Sequence, residues 1–286
     1  MILPFLVWLI IFRYIPLWGW IMAFQDYKIG KPIFQQEWVW FKNFIDMFQD
    51  PEFYKVMKNT IAMSLMGLFF GFPLPIILAI LINEVKNNVY KRVVQTISYL
   101  PHFVSWVIVA SLISSMLSPD GVMNMILKNL HIIKEPILFL GEPKYFWWVV
   151  TFSDIWKELG WNSIIFLAAI TSINPELYEA ATVDGAGRLK KIWHITIPGI
   201  MPTVVLILIM TIGNIINIGF EKQFLLRTAA VRDVSDVLDL YILQYGIGTF
   251  RFSFGTAAGL FKSVISLTLL FTANWISKKT TGYRVV

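Results

Sequence analysis

Residues 179–198 read EAATVDGAGRLKKIWHITIP. The stretch is short, charged and helix-like, and it lies between two of the most apolar parts of the chain, residues 146–173 and 199–220. Each flank is long enough to cross a bilayer, because a spanning helix needs roughly 20 mostly apolar residues. A polar knuckle held between two such runs predicts a polytopic membrane protein with a folded surface loop at residues 174–198. Working outward, the same criterion selects six stretches, at about 3–24, 60–83, 97–117, 146–173, 199–220 and 255–276. These are long continuous runs, not the ten-residue alternating strands of a barrel. The expected fold is therefore all-α: a six-helix transmembrane bundle forming one domain over residues 1–286, without repeats or linkers.

Composition agrees. The chain is 57% hydrophobic and 16% aromatic but only 15% charged, with a mean hydropathy of +0.65. Soluble domains carry about 45–50% apolar and about 25% charged residues. There is no cysteine, which excludes disulfide frameworks, thiolate metal sites and Cys nucleophiles. His102, His131 and His194 lie far apart without metal-ligand spacing, and structural roles are expected for them. The opening run MILPFLVWLIIF lacks the basic start and small-residue cleavage site of a secretory signal peptide. It is expected to stay as the first span, with room for a short basic leader before it.

Orientation follows from Lys and Arg near the spans. Lys86, Lys91 and Arg92 follow the second span, Arg188, Lys190 and Lys191 lie in the knuckle, and Lys278, Lys279 and Arg284 form the tail. All fall on one side if both termini are cytoplasmic. The positive excess then sits on the inner side, which explains the net charge of +6 without nucleic acid. The opposite loops, about 25–59, 118–145 and 221–254, are long, and long ordered loops tend to be functional. Trp38, Trp40, Phe41, Phe44, Phe48, Phe53 and Tyr54 crowd the first. Two readings stand for them: an interfacial aromatic belt, or a docking surface for an external partner.

Within the knuckle, Asn174-Pro175 reads as an N-cap followed by Pro at the first helical position. Glu176 and Glu179 suit the helix dipole, and Asp184-Gly185 marks a turn. Residues 188–195 then form a second short helix, and Pro198 and Pro202 open span five. Ala180 and Ala181 allow close approach, Glu179 and Asp184 offer carboxylates to a partner Arg or Lys, and Leu177, Tyr178 and Val183 can fill an apolar cleft. On these residues alone, a docking element and an ordinary re-entry loop are both open.

Charges inside spans are costly and usually functional. Arg13, Asp154, Lys157, Glu158 and Lys262 are the candidates. Asp154, Lys157 and Glu158 share one face of span four, near Trp156, Trp161 and Asn162. Aromatic faces stack on sugar rings, and amides and carboxylates bind hydroxyls. Span five adds Asn214 and Asn217, with Gly213 and Gly219 loosening the helix. The plainer readings are mutual neutralisation of Asp154 and Lys157, snorkelling or partner contacts for Arg13 and Lys262, and helix–helix bonding by the asparagines. Pro73, Pro75 and Pro101 mark kinks or breaks.

The knuckle resembles the EAA loop of binding-protein-dependent ABC importer permeases. Glu179-Ala180-Ala181 is followed after three residues by Gly185, and after nine more by Ile195-Thr196-Ile197-Pro198. The one departure is Ile197, where the family pattern has Leu. Asp184-Gly185-Ala186 resembles the carbohydrate-importing branch. FRYIPLWGWIMAFQDYKIGK (residues 12–31), FEKQFLL (220–226) and GLFKSVISL (259–267) are similar to permeases for complex oligosaccharides, in the group of polysaccharide and lipoprotein-associated importers of Gram-positive bacteria. The resemblance implies the type I importer permease fold and a second permease subunit, with a hetero-pair favoured. It also implies two cytoplasmic nucleotide-binding ATPase subunits, an external solute-binding lipoprotein and an oligosaccharide cargo. Glu179, Ala180, Ala181, Asp184, Gly185, Ile195 and Pro198 would couple the spans to the ATPase, with Glu179 meeting a basic residue there.

No cofactor is expected in this subunit; ATP and Mg belong to the partner ATPase. Gly259-Leu260-Phe261-Lys262-Ser263 lacks the Gly before Lys that a P-loop requires. Two other readings remain: an ion-coupled secondary carrier using Asp154 and Glu158, and a non-transporting scaffold or receptor built on the outer loops. An inverted repeat would favour the first, and none is visible.

Overall fold

The computed structural model describes residues 2–282, so Arg284 of the basic tail lies outside the described residues. Among the described residues the regular structure is helical, apart from a two-residue antiparallel pair, β1 (Gln25–Asp26) with β2 (Glu37–Trp38), in which Gln25 faces Trp38. The first helical run, α1 (Leu3–Phe24), has the expected bounds and is almost wholly exposed. After α2 (Lys42–Gln49), Asp50 caps α3 (Pro51–Glu84) by accepting from the Glu52 amide. This helix starts nine residues before the expected second span, because Pro51 and the cap set its first turn. A π turn at Gly67–Gly71 interrupts it, and Pro73 resumes the α-helix just beyond.

The third span is not one helix. The structure has α4 (Asn88–Phe103) and α5 (Trp106–Met116) bent by 102°. Pro101 closes α4 in a 3-10 turn, Val104 is extended, and the Ser105 hydroxyl caps α5 by accepting from the Ile108 amide. After α6 (Val122–Asn129) comes α7 (Pro143–Thr171). Then follow α8 (Pro175–Val183) and α9 (Arg188–Gly213). The expected short helix at 188–195 is instead the beginning of α9, continuous through a π turn at Ile192–Thr196 and past Pro198 and Pro202. The π turn slackens the backbone ladder just where Pro198 has no N–H to give. α9 also stops at Gly213, short of residue 220, so Asn214, Asn217 and Gly219 lie beyond it; Gly219 has φ +71°. The expected outer loop at 221–254 is folded into α10 (Glu221–Leu226), α11 (Arg232–Ser235) and α12 (residues 238–248). α13 (Phe252–Thr281) completes the chain.

Among the described residues, α1, α3, α9 and α13 are long and apolar enough to cross a membrane, and the bent α4–α5 pair makes a fifth if taken as one span. α7 has 29 residues, about 43 Å at 1.5 Å per residue, but its ionic residues keep it from reading as apolar.

Three packed clusters set the direction of the helices. Ala79 and Ile82 of α3 meet Phe166, Leu167 and Ile170 of α7 and Ile200 of α9. At the other end Met63 of α3 and Phe146 and Val150 of α7 meet Val109 and Ile113 of α5 and Leu226 of α10. α3 and α7 thus run parallel, and the basic segments at 86–92 and 188–191 lie toward the same end. The third cluster joins Met47, Phe53 and Val56 to Leu238, Tyr241 and Phe254. Polar bonds fasten this outer end. Asn59 Nδ2 donates to the carbonyls of Asp233 and Asp236 at 2.9 Å each, and the Leu238 amide donates to Thr60 Oγ1 at 2.8 Å. The Tyr241 hydroxyl donates to Asp50 Oδ2 at 2.5 Å. Burial first, and Asp50 second, push that phenol well above its usual range. The aromatic residues of the first outer loop divide: Phe53 is buried in this core, while Trp38, Trp40, Phe41, Phe48 and Tyr54 are exposed.

Candidate functional site

Midway between the two ends, α3, α7, α9 and α10 line an open cavity of about 780 Å³. Sites for small molecules commonly fall between about 300 and 1,000 Å³. The π turn of α3 lines one wall, and a Cβ added at Gly67 would meet nothing within 4 Å. Single π turns inside α-helices recur at functional sites because they widen the helix locally.

Six of the eight residues expected along a sugar path line this cavity: Asp154, Glu158, Trp161, Asn162, Asn214 and Asn217. Trp156 and Lys157 do not. The indole of Trp156 is half exposed away from the wall, and Lys157 is buried behind it at 5% exposure. The plainer reading, mutual neutralisation of Asp154 and Lys157, does not hold either. Asp154 Oδ2 pairs with Lys222 Nζ of α10 at 2.8 Å. Lys157 Nζ instead donates to the His102 carbonyl at 2.6 Å and to Glu158 Oε1 at 3.2 Å. Glu158 Oε2 lies 2.7 Å from His102 Nδ1, and the imidazole stacks on Trp161 with centroids 4.3 Å apart and planes 2° from parallel. The ring of Trp106 lies under both cations, 5.8 Å from Lys157 Nζ and 5.9 Å from Lys222 Nζ. Two carboxylates one turn apart are thus paired with different cations, and the break between α4 and α5 brings His102 into reach of Glu158.

Of the other expected residues, Arg13 is exposed on α1, away from the cavity. Lys262 forms an ion pair with Asp239 of α12 within the same chain, rather than snorkelling. Asn217 Nδ2 donates to Asn214 Oδ1 at 3.3 Å and to Ser266 Oγ at 3.1 Å, so it ties the end of α9 to α13 as well as facing the cavity. Gly213 ends α9 against Leu270 and does not loosen its interior. Sequence reasoning missed His102, Thr151, Lys222 and Gln223 as members of this site. Their proximity comes from the α4–α5 bend and from α10 folding back over α7, neither of which leaves a periodic signal. The small-x-x-x-small spacing of Gly67 and Gly71 is a signal that could have pointed to this part of α3.

The knuckle is built as the sequence suggests at its centre. Asn174 Oδ1 accepts from the Glu176 amide at 3.0 Å, capping α8. At the other end the Ala186 amide bonds to the Ala181 carbonyl and the Gly185 amide to the Thr182 carbonyl, with Gly185 at φ +76°. This is the Schellman arrangement, in which the left-handed residue is usually Gly. Glu179, Ala180, Asp184 and Pro198 are exposed, and Ala181 and Ile195 are half-buried. Leu177 and Val183 present exposed apolar side chains, Val183 at 88%. Tyr178 does not join them: its hydroxyl turns inward to Thr196 Oγ1 at 2.9 Å, in the π turn of α9. Lys191 Nζ adds a bond to Thr182 Oγ1 at 2.6 Å. Among the described residues, no three His, Asp or Glu groups gather as a metal site.

Comparison with known proteins adds three findings. Residues 71–282 match the family described as binding-protein-dependent transport system inner membrane component. The chain is 43% identical over 280 residues to protein LplB of Bacillus subtilis (strain 168), covering 98% of this chain and 87% of that one. It is 43% identical over 287 residues to the polygalacturonan/rhamnogalacturonan transport system permease protein YteP of the same organism, with the same coverage. A crystal structure of a bacterial alginate ABC transporter, in complex with alginate pentasaccharide-bound periplasmic protein, contains a chain that superposes with a TM-score of 0.90. The two are 42% identical, with 100% of this chain and 95% of that chain covered.

Proposed function

The chain belongs to the family of binding-protein-dependent transport system inner membrane components, and from that premise we propose that it passes oligosaccharides carrying uronate carboxylates. It is an inner-membrane permease subunit of a sugar-importing ABC transporter and not itself an enzyme. The observation that carries the coupled-import reading is the connection between cavity and knuckle. α7 supplies Asp154, Glu158, Trp161 and Asn162 to the wall, α9 leads into Asn214 and Asn217, and α8 is the segment that joins these two helices. A movement imposed on α8 therefore reaches both walls of the cavity.

Support for an acidic cargo comes from the relatives, whose names specify polygalacturonan, rhamnogalacturonan and alginate. Lys222 is the cation in the wall able to receive a carboxylate once Asp154 releases it. The partners are a second permease, two cytoplasmic ATPase subunits that use ATP and Mg, and an external solute-binding lipoprotein. Glu179, Ala180, Ala181, Asp184, Gly185, Ile195 and Pro198 form or support the surface that meets the ATPase. Both chain ends face the cytoplasm, in keeping with the basic residues gathered near that end of α3 and α9.

The test is recovery of this chain from its native host in mild detergent, read by mass spectrometry. The expected result is co-recovery of an ATPase, a second permease and a solute-binding lipoprotein whose bound glycan contains uronate. Recovery of the chain alone, with sugar uptake persisting in ATP-depleted cells, would favour the secondary carrier instead.

A further inference from the structure

One part of the cavity wall holds polar atoms that nothing among the described residues answers. Gln223 of α10 is fully buried, and neither its Oε1 nor its Nε2 has a hydrogen-bond partner. Thr151 of α7, one turn before Asp154, is 4% exposed, and its Oγ1 is likewise unpartnered. Other buried hydroxyls on these helices behave differently. Thr60 bonds back to the Val56 carbonyl, Ser153 to Val149 and Ser163 to Gly160. Thr151 and Gln223 both line the cavity, beside the Asp154–Lys222 pair.

Buried polar groups in native proteins are nearly always hydrogen-bonded, and exceptions call for a partner outside the fold. The chemistry of the orphans restricts that partner. The amide offers two N–H donors and one carbonyl acceptor, and the hydroxyl donates and accepts. A carboxylate or phosphate oxygen only accepts, so it would satisfy Nε2 and Oγ1 but leave Oε1 without a donor. Neighbouring hydroxyls of a sugar ring both donate and accept, and they complete the set. Lys222, adjacent in sequence to Gln223, is left to handle charge.

We propose that Gln223 and Thr151 form a sugar-hydroxyl subsite in the cavity, read by hydrogen bonds and independent of the cargo's carboxylates. The proposal rests on the permease reading above and adds to it the residues that hold the ring. The subsite is closed in this structure, since the orphan atoms expose almost no surface. It becomes available when α7 and α10 part.

The test uses the complete complex, purified with its partner subunits and placed in proteoliposomes with its binding protein. Trigalacturonate and cellotriose serve as the acidic and neutral probes. The variants are Gln223→Leu, which keeps the shape, and Thr151→Val against Thr151→Ser, which separate shape from hydroxyl. The expected result is at least a tenfold loss of ATP-driven uptake in the Leu and Val variants. Thr151→Ser, which keeps the hydroxyl, stays near wild type. Full uptake in both the Leu and Val variants, with thermal midpoints equal to or above wild type, would identify a water-filled structural pair and overturn the subsite. If Gln223→Leu does not assemble, the Val and Ser variants decide alone, since they differ at one position by the hydroxyl. A wild-type complex that imports neither probe overturns the permease reading of the cargo and the subsite with it.

Discussion

At Gly160 an added Cβ would lie 2.0 Å from the Ser98 carbonyl oxygen and 2.9 Å from the Tyr99 amide nitrogen. The backbone of α4 therefore rests directly on α7 one turn below Lys157, and no side chain fits between them. Overpacking a closely packed site costs about 1–3 kcal/mol. Gly160→Ala is expected to lower the thermal midpoint of the purified complex, whereas Gly67→Ala, whose Cβ points into open cavity, is expected to hold or raise it. Equal midpoints for the two variants would contradict the close approach. Legibility at this scale depended on whether a residue's role is local. Gly185 was readable because Asp-Gly after a helix asks for a left-handed residue, and it has one. Asp154, Glu158, Trp161 and Asn162 were readable because charge, amide and indole on one face of an apolar helix are costly without a use. Gly160 and Lys222 were not, since both owe their roles to neighbours remote in sequence. The same distance misled the pairing of Asp154: helical spacing offered Lys157, while the fold brought Lys222.

α8 and α9 are joined by more than the chain. The Tyr178–Thr196 bond fixes α8 to the π turn of α9, where the backbone ladder is loosest. A hydrogen bond of this kind is worth about 1 kcal/mol net, or about fivefold in a coupling equilibrium. Tyr178→Phe is expected to lower sugar carried per ATP hydrolysed by up to about fivefold, with assembly and cargo-free ATP hydrolysis preserved. An unchanged ratio would show that the knuckle moves α9 through the backbone alone. Most elements were visible from apolar run length, and α1, α3, α7 and α13 occupy or extend the expected spans. α9 begins earlier and ends earlier than hydropathy suggests. Its first turn is polar because it belongs to the knuckle, and the apolar residues after Gly213 belong to the outer turn. The bend between α4 and α5 was marked by Pro101, but its 102° angle is set by packing of α4 against α7, which hydropathy does not record.

The whole molecule places a charge-paired, aromatic and amide-lined cavity between an outer end fastened by α10 to α12 and an inner end carrying α8. The outer end is folded rather than loop-like, because Asn59, Thr60 and Trp147 hold residues 233–238 by side-chain bonds to backbone. That arrangement was invisible in a segment with no long periodic run. The most direct test of coupled import is ATP-driven uptake of trigalacturonate into proteoliposomes holding the complete complex, compared with the Glu179→Arg variant, with and without a membrane potential. Uptake is expected to require ATP on the side facing Glu179, to ignore the membrane potential, and to fall at least tenfold in the variant. Uptake that persists without ATP, follows the membrane potential and tolerates Glu179→Arg would contradict it.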